Sequence, residues 1–421
     1  MRPNALLELT ASLVQAVLRG DQSADRVVSA FLREHRALGP RERHTLAETT
    51  YAVLRRRLLL QHLAQSGHGP LERRLAVLGW QGSADFLRAA LSPPEQSWLD
   101  QVSAVDPSQL PDRLRHNLPA WVADPLRAEL GEEAFWALAR ALDAPAPLDL
   151  RVNVLKARRE EAQAALQALG VACTPTPHSP WGLRLADKPA LTKLAPFERG
   201  EVEVQDEGSQ LLALLTGARR GEMVVDFCAG AGGKTLALGA MMRNTGRLYA
   251  LDTSGHRLAA LKPRLARSGL SNVHPVQIAH ERDERVKRLA GKADRVLVDA
   301  PCSGLGTLRR NPDLKWRQSP ETVLSLQSQQ RAILEAAARL LRPGGRLVYA
   351  TCSLLRAENE EVATAFGAAH AQAFEPLPAA QALAEARVDG AEALADGPFL
   401  RLWPHRHRTD GFFAAAWIRR P

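Results

Sequence analysis

Residues 223–235 read MVVDFCAGAGGKT, and the reading of this stretch decides the fold. A short, valine-rich run from Met223 to Cys228 gives way to Ala229-Gly230-Ala231-Gly232-Gly233-Lys234-Thr235 and then to a helical pattern. A strand that enters a glycine-rich turn ahead of a helix lets the backbone approach a ligand closely. It also leaves helix N-terminal N–H groups free to bind it. Twenty positions after Gly232 the next apolar run, RLYALD, ends in Asp252, which is placed to accept hydrogen bonds from the two hydroxyls of a ribose. A phosphate-binding P-loop would need a glycine where Cys228 stands. The glycines alone could be a tight structural turn; with the acid they point to a nucleoside cofactor.

Outward from this stretch, the apolar runs RLYALD, VHPVQI, RVLVDA and GRLVYATC alternate with helical segments such as SGHRLAALKPRLARSG and SLQSQQRAILEAAARLLRPGG. That alternation predicts a parallel, doubly wound sheet over residues 206–421. Upstream, residues 121–205 read as a small α+β module with strands at LDLRVNVL, near Leu183 and at Val202-Glu203-Val204, and a helix over Arg158 to Leu169. Residues 1–120 read as helices. Leu6, Leu9, Leu13, Val17 and Leu18 fall on one face of the first, which Gly20 ends. The stretch RERHTLAETTYAVLRRRLLLQHLAQSG predicts one basic helix, in which Arg55, Arg56 and Arg57 point about 100° apart. That run suits a solvated helix end, or alternatively a phosphate-contacting patch.

The formal charge of +9 and pI near 9.8 favour a polyanionic partner, most simply nucleic acid, although a generically basic proteome would give the same values. No apolar run approaches the length of a membrane span. The first 20 residues, interrupted by Glu8 and Gln15, lack the continuous apolar block of a signal peptide. A cytoplasmic monomer is the expectation.

Only four cysteines occur: Cys173, Cys228, Cys302 and Cys352. No C-x-x-C pair suggests a metal site or a disulfide framework. Cys302, in Asp299-Ala300-Pro301-Cys302-Ser303-Gly304, and Cys352, in Thr351-Cys352-Ser353, both follow predicted parallel strands at the edge where open α/β sheets bind ligands. Small buried core residues are the usual fate of free cysteines. Position and turn-forming neighbours argue otherwise here. Carbon 5 of cytosine is a poor nucleophile until a thiolate adds at carbon 6, and the adduct must later lose the carbon 5 proton and the thiol. A second polar group near the first thiol would assist that release. Asp299 could hydrogen-bond N3 and the amino edge, favouring cytosine over uracil.

The segments DFCAGAGGKT, VLVDAPCSGLGTLRRNPDLKW and YATCSLLRAENEEV resemble motifs I, IV and VI of the RsmB/Sun branch of the RsmB/NOP family of RNA cytosine-5 methyltransferases. The resemblance continues into VQDEGSQLL and the closing TDGFFAAAWIRR, and TTYAVLRRR among the N-terminal helices resembles a NusB-like RNA-binding domain. The resemblance implies a Rossmann-like methyltransferase core with a NusB-like helical domain and an RRM-like module. It makes Cys352 the nucleophile and Cys302 the residue that assists product release. S-adenosylmethionine would contact the loop from Cys228 through Ala229, Gly230, Ala231, Gly232 and Gly233 to Lys234, together with Asp252 and Asp299. Two departures stand out. Ala231 replaces a common proline, and VQIAHERDER carries His280, with Asp283 three residues on, where an aspartate normally contacts the adenine amine. That contact stays unassigned.

The implied substrate is 16S rRNA or a small-subunit assembly intermediate. A tRNA cytosine-5 methyltransferase and a non-catalytic RNA-binding assembly factor are the rivals, and retention of both cysteines, Asp299 and Lys234 speaks against the second. No metal is expected. Pro404-His405-Arg406-His407-Arg408 reads as a basic surface loop. Lys315 and Trp316 are candidates to position a nucleotide or to pack, and Arg309 and Arg310 are candidates for phosphate.

Overall fold

The computed structural model describes residues 1–421 and resolves two compact units. One comprises Met1–Pro145 with Thr307–Pro320, the other Ala146–Gly306 with Glu321–Pro421. No helix is long and apolar enough to cross a membrane.

The first unit is helical. Pro3 opens helix Pro3–Leu18, at a position where its missing N–H would have no partner anyway. Leu6, Leu7, Leu13, Val14 and Val17 bury along this helix. The basic stretch expected as one helix is two, Pro40–Arg55 and Arg57–Ala64, broken at Arg56, whose φ of −110° and ψ of 29° leave the helical well. The three arginines therefore find three partners. Arg55 is buried and donates to the Arg309 carbonyl at 3.2 Å, and Arg56 donates to Asp143 at 2.7 Å. The Arg57 guanidinium lies 5.5 Å from the centroid of the Trp316 ring. Arg55 is thus withdrawn from solvent, Arg57 is half-buried, and Arg56 stays exposed while paired with Asp143.

Thr307–Pro320 is built into this unit. Asp313 accepts from the N–H of Ala24 at 3.1 Å, at the start of helix Ala24–Glu34. Lys315 Nζ donates to the Arg55 carbonyl at 2.7 Å, and Trp316 Nε1 to the Leu54 carbonyl at 2.8 Å. Lys315 and Trp316 thus pack the helical unit rather than standing ready for a nucleotide, and Arg309 is buried with them. Burial drives the Lys315 ammonium down to a pKa of about 7. The unit runs past residue 120, because helices Ala120–Leu130 and Glu132–Asp143 pack within it. Arg127 pairs with Asp112 at 2.6 Å, and the His116 ring meets Phe135 edge-on at 5.5 Å.

In the second unit, strands β1 (Leu148–Val152), β2 (Cys173–Pro175), β3 (Gly182–Leu185) and β4 (Val202–Val204) form an antiparallel sheet in the order β2-β3-β1-β4. Helix Arg159–Ala168 covers it through Ala162 and Leu166, which pack with Leu150, Val152 and Leu183. Cys173 is part of that small core.

The larger sheet has nine strands. They are β5 (Met223–Asp226), β6 (Arg247–Asp252), β7 (Val273–Gln277), β8 (Ala293–Asp299) and β9 (Leu341–Thr351), followed by β10 (Phe374–Leu377), β11 (Ala395–Asp396), β12 (Phe399–Leu402) and β13 (Phe412–Arg419). The order is β11-β12-β13-β9-β8-β5-β6-β7, with β10 also on β13. Strands β5 to β9 pair in parallel, and β13 runs antiparallel to β9. Val296, Leu297 and Val298 are all fully buried, as a parallel strand covered on both faces requires. Each such side chain contributes roughly 1.5–3 kcal/mol. The chain leaves β5 first toward one edge and then returns to the other, so the β5/β8 junction is the topological switch point where ligands bind. Four strands meeting there, β5, β6, β8 and β9, end on Asp226, Asp252, Asp299 and Thr351. This is the Rossmann-like methyltransferase architecture expected.

Candidate active site

The glycine loop is shaped by steric need. Gly232 sits at a φ of +84°, and a Cβ there would lie 2.1 Å from Leu261 Cδ1, so only glycine fits. Gly230, at +57°, faces open space. Its N–H donates to Asp252 Oδ2 at 2.8 Å, while Asp252 Oδ1 accepts from the Ser254 N–H at 2.7 Å. Each oxygen keeps a second lone pair for a ribose hydroxyl. Helix Gly233–Met241 starts without a side-chain cap, which leaves its first N–H groups for a ligand.

Asp226 lies under this loop, and the sequence reading missed it. Its Oδ2 accepts from Thr235 Oγ1 at 2.7 Å, whereas Oδ1 is buried without a partner. Desolvation, reinforced by the charges of Asp299 and Asp252, pushes the carboxyl up to about 7. The signal available was an acid ending an apolar strand, a position that burial makes costly without a role. Lys234 Nζ pairs with Asp299 Oδ2 at 2.8 Å. Burial opposes the ammonium, but the Asp299 carboxylate outweighs it and holds the pKa above the usual value. Lys234 thus orients Asp299 at the sheet edge. Burial, with the charges of Asp299, Asp226 and Asp252, raises the Cys228 thiol well above its ordinary range, so it lines the loop as a neutral group.

The two motif cysteines come together. Cys302 Sγ and Cys352 Sγ are 3.4 Å apart, a thiol contact rather than a disulfide, whose bond is about 2.05 Å. The parallel register sets Asp299 beside Ala350, so the loops leaving β8 and β9 run side by side. Gly306 donates to the Cys352 carbonyl at 2.8 Å, and a Cβ on Gly306 would lie 2.1 Å from the Gly411 carbonyl oxygen and 2.8 Å from that of Cys352. The hydrogen bond with Cys352, then desolvation, then the charges of Cys352 and Glu358 raise the Cys302 thiol well above its ordinary range.

Behind the pair lies Glu358, fully buried and also missed from sequence. It accepts from Ser303 N at 2.8 Å, Ser303 Oγ at 2.5 Å, Gln330 Nε2 at 3.0 Å and Ser353 Oγ. Its distance in sequence from Cys302 concealed it. His280 and Asp283 fold onto their own turn. His280 Nδ1 accepts from Arg282 N, and Asp283 accepts from Ala279 N and Arg285 N. The Pro404–His407 segment is a short helical turn rather than a surface loop. Its His405 is half-buried and pushed down to about 4 by desolvation, and His407 Nδ1 accepts from Trp403 N.

Residues 213–418 match the family described as 16S rRNA methyltransferase RsmB/F, and residues 118–192 match its ferredoxin-like domain. The "Probable ribosomal RNA small subunit methyltransferase B" of Synechocystis is 30% identical over 97% of this chain and 98% of its own. The chain belongs to the RsmB/F family. Among solved structures, PH0851 is similar over 99% of each chain at a TM-score of 0.79 and 26% identity. A methyltransferase homolog protein from Pyrococcus horikoshii, 30% identical, is covered completely by 75% of this chain at a TM-score of 0.62. The RsmB/F match spans both cysteine loops and the glycine loop, and it ends just short of the C-terminus.

Proposed function

We propose that this RsmB/F-family protein methylates carbon 5 of a cytosine in 16S rRNA, with S-adenosylmethionine as cofactor and Cys352 as nucleophile. The observation that carries the reading is the 3.4 Å pair of thiols at the ends of β8 and β9, beside the Lys234–Asp299 ion pair. The cofactor pocket fits its ligand by three features. The Asp252 carboxylate can take a ribose, the uncapped start of helix Gly233–Met241 can take a carboxylate, and the unpartnered Asp226 Oδ1 can accept from an amino group. When bound, the cofactor supplies an electrophilic methyl group.

The chain's own residues do the rest. The Cys352 thiolate adds at carbon 6 and makes carbon 5 nucleophilic. Asp299, held as the carboxylate by Lys234, accepts from the amino group of the ring and holds it against the thiol. We read Cys302, which touches Cys352, as the residue that assists release: the carbon 5 proton passes to a base, the carbon 6–sulfur bond breaks, and Cys352 leaves as the thiolate. The base must be flipped or unpaired to reach the sheet edge. We read the helical unit, Met1–Pro145 with Thr307–Pro320, as a NusB-like RNA-binding domain, the small sheet with its covering helix as an RRM-like module, and the nine-stranded sheet with its helices as the core. Bisulfite sequencing of total RNA from a strain lacking the protein tests the substrate. One 16S cytosine mark should disappear; an unchanged 16S pattern with a lost tRNA mark would overturn the ribosomal reading.

A further inference from the structure

We infer that the helical unit holds a nucleobase pocket at the break between helices Pro40–Arg55 and Arg57–Ala64, and that it takes an unstacked guanine of the substrate RNA. The inference rests on the proposed reading only in taking RNA as the partner. A cavity of about 290 Å³ lies at the break, near the small end of ligand sites, which run from roughly 300 to 1,000 Å³. Two of the side chains that line it carry unmade hydrogen bonds. Arg55 is only 8% exposed, and although one of its terminal nitrogens donates to the Arg309 carbonyl at 3.2 Å, its Nε–H is buried without a partner. Asp143 Oδ2 accepts from Arg56 Nε at 2.7 Å, whereas its Oδ1 is buried without a partner. Arg55 and Asp143 thus present a free donor and a free acceptor to one cavity without closing on each other. Buried groups of this kind are nearly always satisfied, and a ligand that offers both an acceptor and a donor satisfies the two at once.

The remaining walls narrow the chemistry. Ala52, Leu60 and Leu78 are apolar and suit the faces of a flat ring. Glu48 is a second acid on the lining, so two carboxylates stand with the guanidinium. Burial lowers the Arg55 pKa, and the charges of Asp143 and Glu48 oppose that, which places both acids within reach of the same cation. Two acids repel a phosphate, so the pocket is built for a base and not for the RNA backbone. Among the bases, guanine alone offers O6 and N7 to a guanidinium and both N1–H and an amino group to two carboxylates. Cytosine and adenine bring only an amino group to the acids, and uracil only one N–H. A base contact releases no counterions, so the pocket selects a nucleotide and leaves the salt dependence of binding to the exposed basic groups.

Fluorescence anisotropy of the full chain, without cofactor, tests the pocket. The probes are a labelled oligouridine and the same RNA with one central guanosine, adenosine or cytidine, all at one salt concentration. The guanosine RNA is expected to bind about tenfold more tightly than the other three. Ala52→Leu fills the cavity without removing any of its polar groups. It should erase that preference and leave the binding of plain oligouridine unchanged. Equal binding of all four RNAs by the parent chain would mean that the cavity holds only water, and would overturn the inference. So would a folded Ala52→Leu protein that keeps the guanine preference, since the preference would then lie elsewhere. If Ala52→Leu does not fold, photocrosslinking of the parent to oligouridine carrying one 6-thioguanosine decides. The adduct must map to peptides bearing Arg55 or Asp143, and adducts confined to other peptides refute the pocket. Failure of the substrate reading shows separately, as an intact rRNA mark in the deletion strain.

Discussion

Asp226 ends β5 with one carboxylate oxygen hydrogen-bonded to Thr235 and the other buried without a partner. Its folded pKa of about 7 lies above the ordinary 3.8, so the folded state binds the proton more tightly than the unfolded chain. The stability it contributes is fully present below about pH 4 and is lost as pH rises through about 7. Asp226→Asn, which mimics the protonated form, should remove that part of the pH dependence. Its Tm should exceed the parent's at pH 8 and match it near pH 4 in thermal melts, while cofactor affinity falls. The Lys234–Asp299 pair behaves differently. Removing one partner of a largely buried pair leaves a charge uncompensated, so Lys234→Met should destabilise by roughly 3 kcal/mol in denaturant titrations, as well as abolishing turnover. At this scale the sequence was informative wherever chemistry and a turn coincided: the glycine loop, Asp252, Asp299 and both cysteines lie at strand ends. Asp226 and Glu358 were not legible as site residues. Their roles depend on burial and on partners distant in the chain, and neither leaves a local pattern.

The loops that follow β8 and β9 depend on glycine at Gly306, where any side chain would collide with the carbonyls of Gly411 and Cys352. Gly306→Ala must shift the Cys352 backbone. Since a misplacement near 1 Å can cost about 100-fold, kcat should fall by roughly that factor with little change in cofactor binding. A parent-like kcat would show that the cysteine loops tolerate displacement. Elements were legible where one rule dominates. Apolar runs of Val and Leu marked β5, β6, β8 and β9, and alternation with helices gave the parallel core. The break at Arg56 was not legible, because three successive arginines have good helix propensity. What splits the helix there is tertiary. Arg55 turns inward to the Arg309 carbonyl and Arg56 outward to Asp143. Nor could a local pattern show that Thr307–Pro320, directly after a motif of the core, folds with the N-terminal helices through Asp313, Lys315 and Trp316.

The whole molecule carries a formal charge of +9, and many of the arginines named by sequence have protein partners. RNA affinity should therefore arise from many exposed basic groups rather than from the Arg55–Arg57 run. Binding of a 16S fragment is expected to weaken by orders of magnitude between 50 and 200 mM salt, with a slope that Arg55→Ala leaves unchanged. The two-unit division was not readable from composition and periodicity, since it joins segments far apart in the chain. The reaction, however, rests on which sulfur attacks. Cys302→Ala and Cys352→Ala proteins incubated with target RNA and S-adenosylmethionine, and examined by denaturing electrophoresis, answer that directly. Cys302→Ala should accumulate a covalent protein–RNA adduct through Cys352, and Cys352→Ala should form none. An adduct in Cys352→Ala and none in Cys302→Ala would reverse the roles of the two thiols.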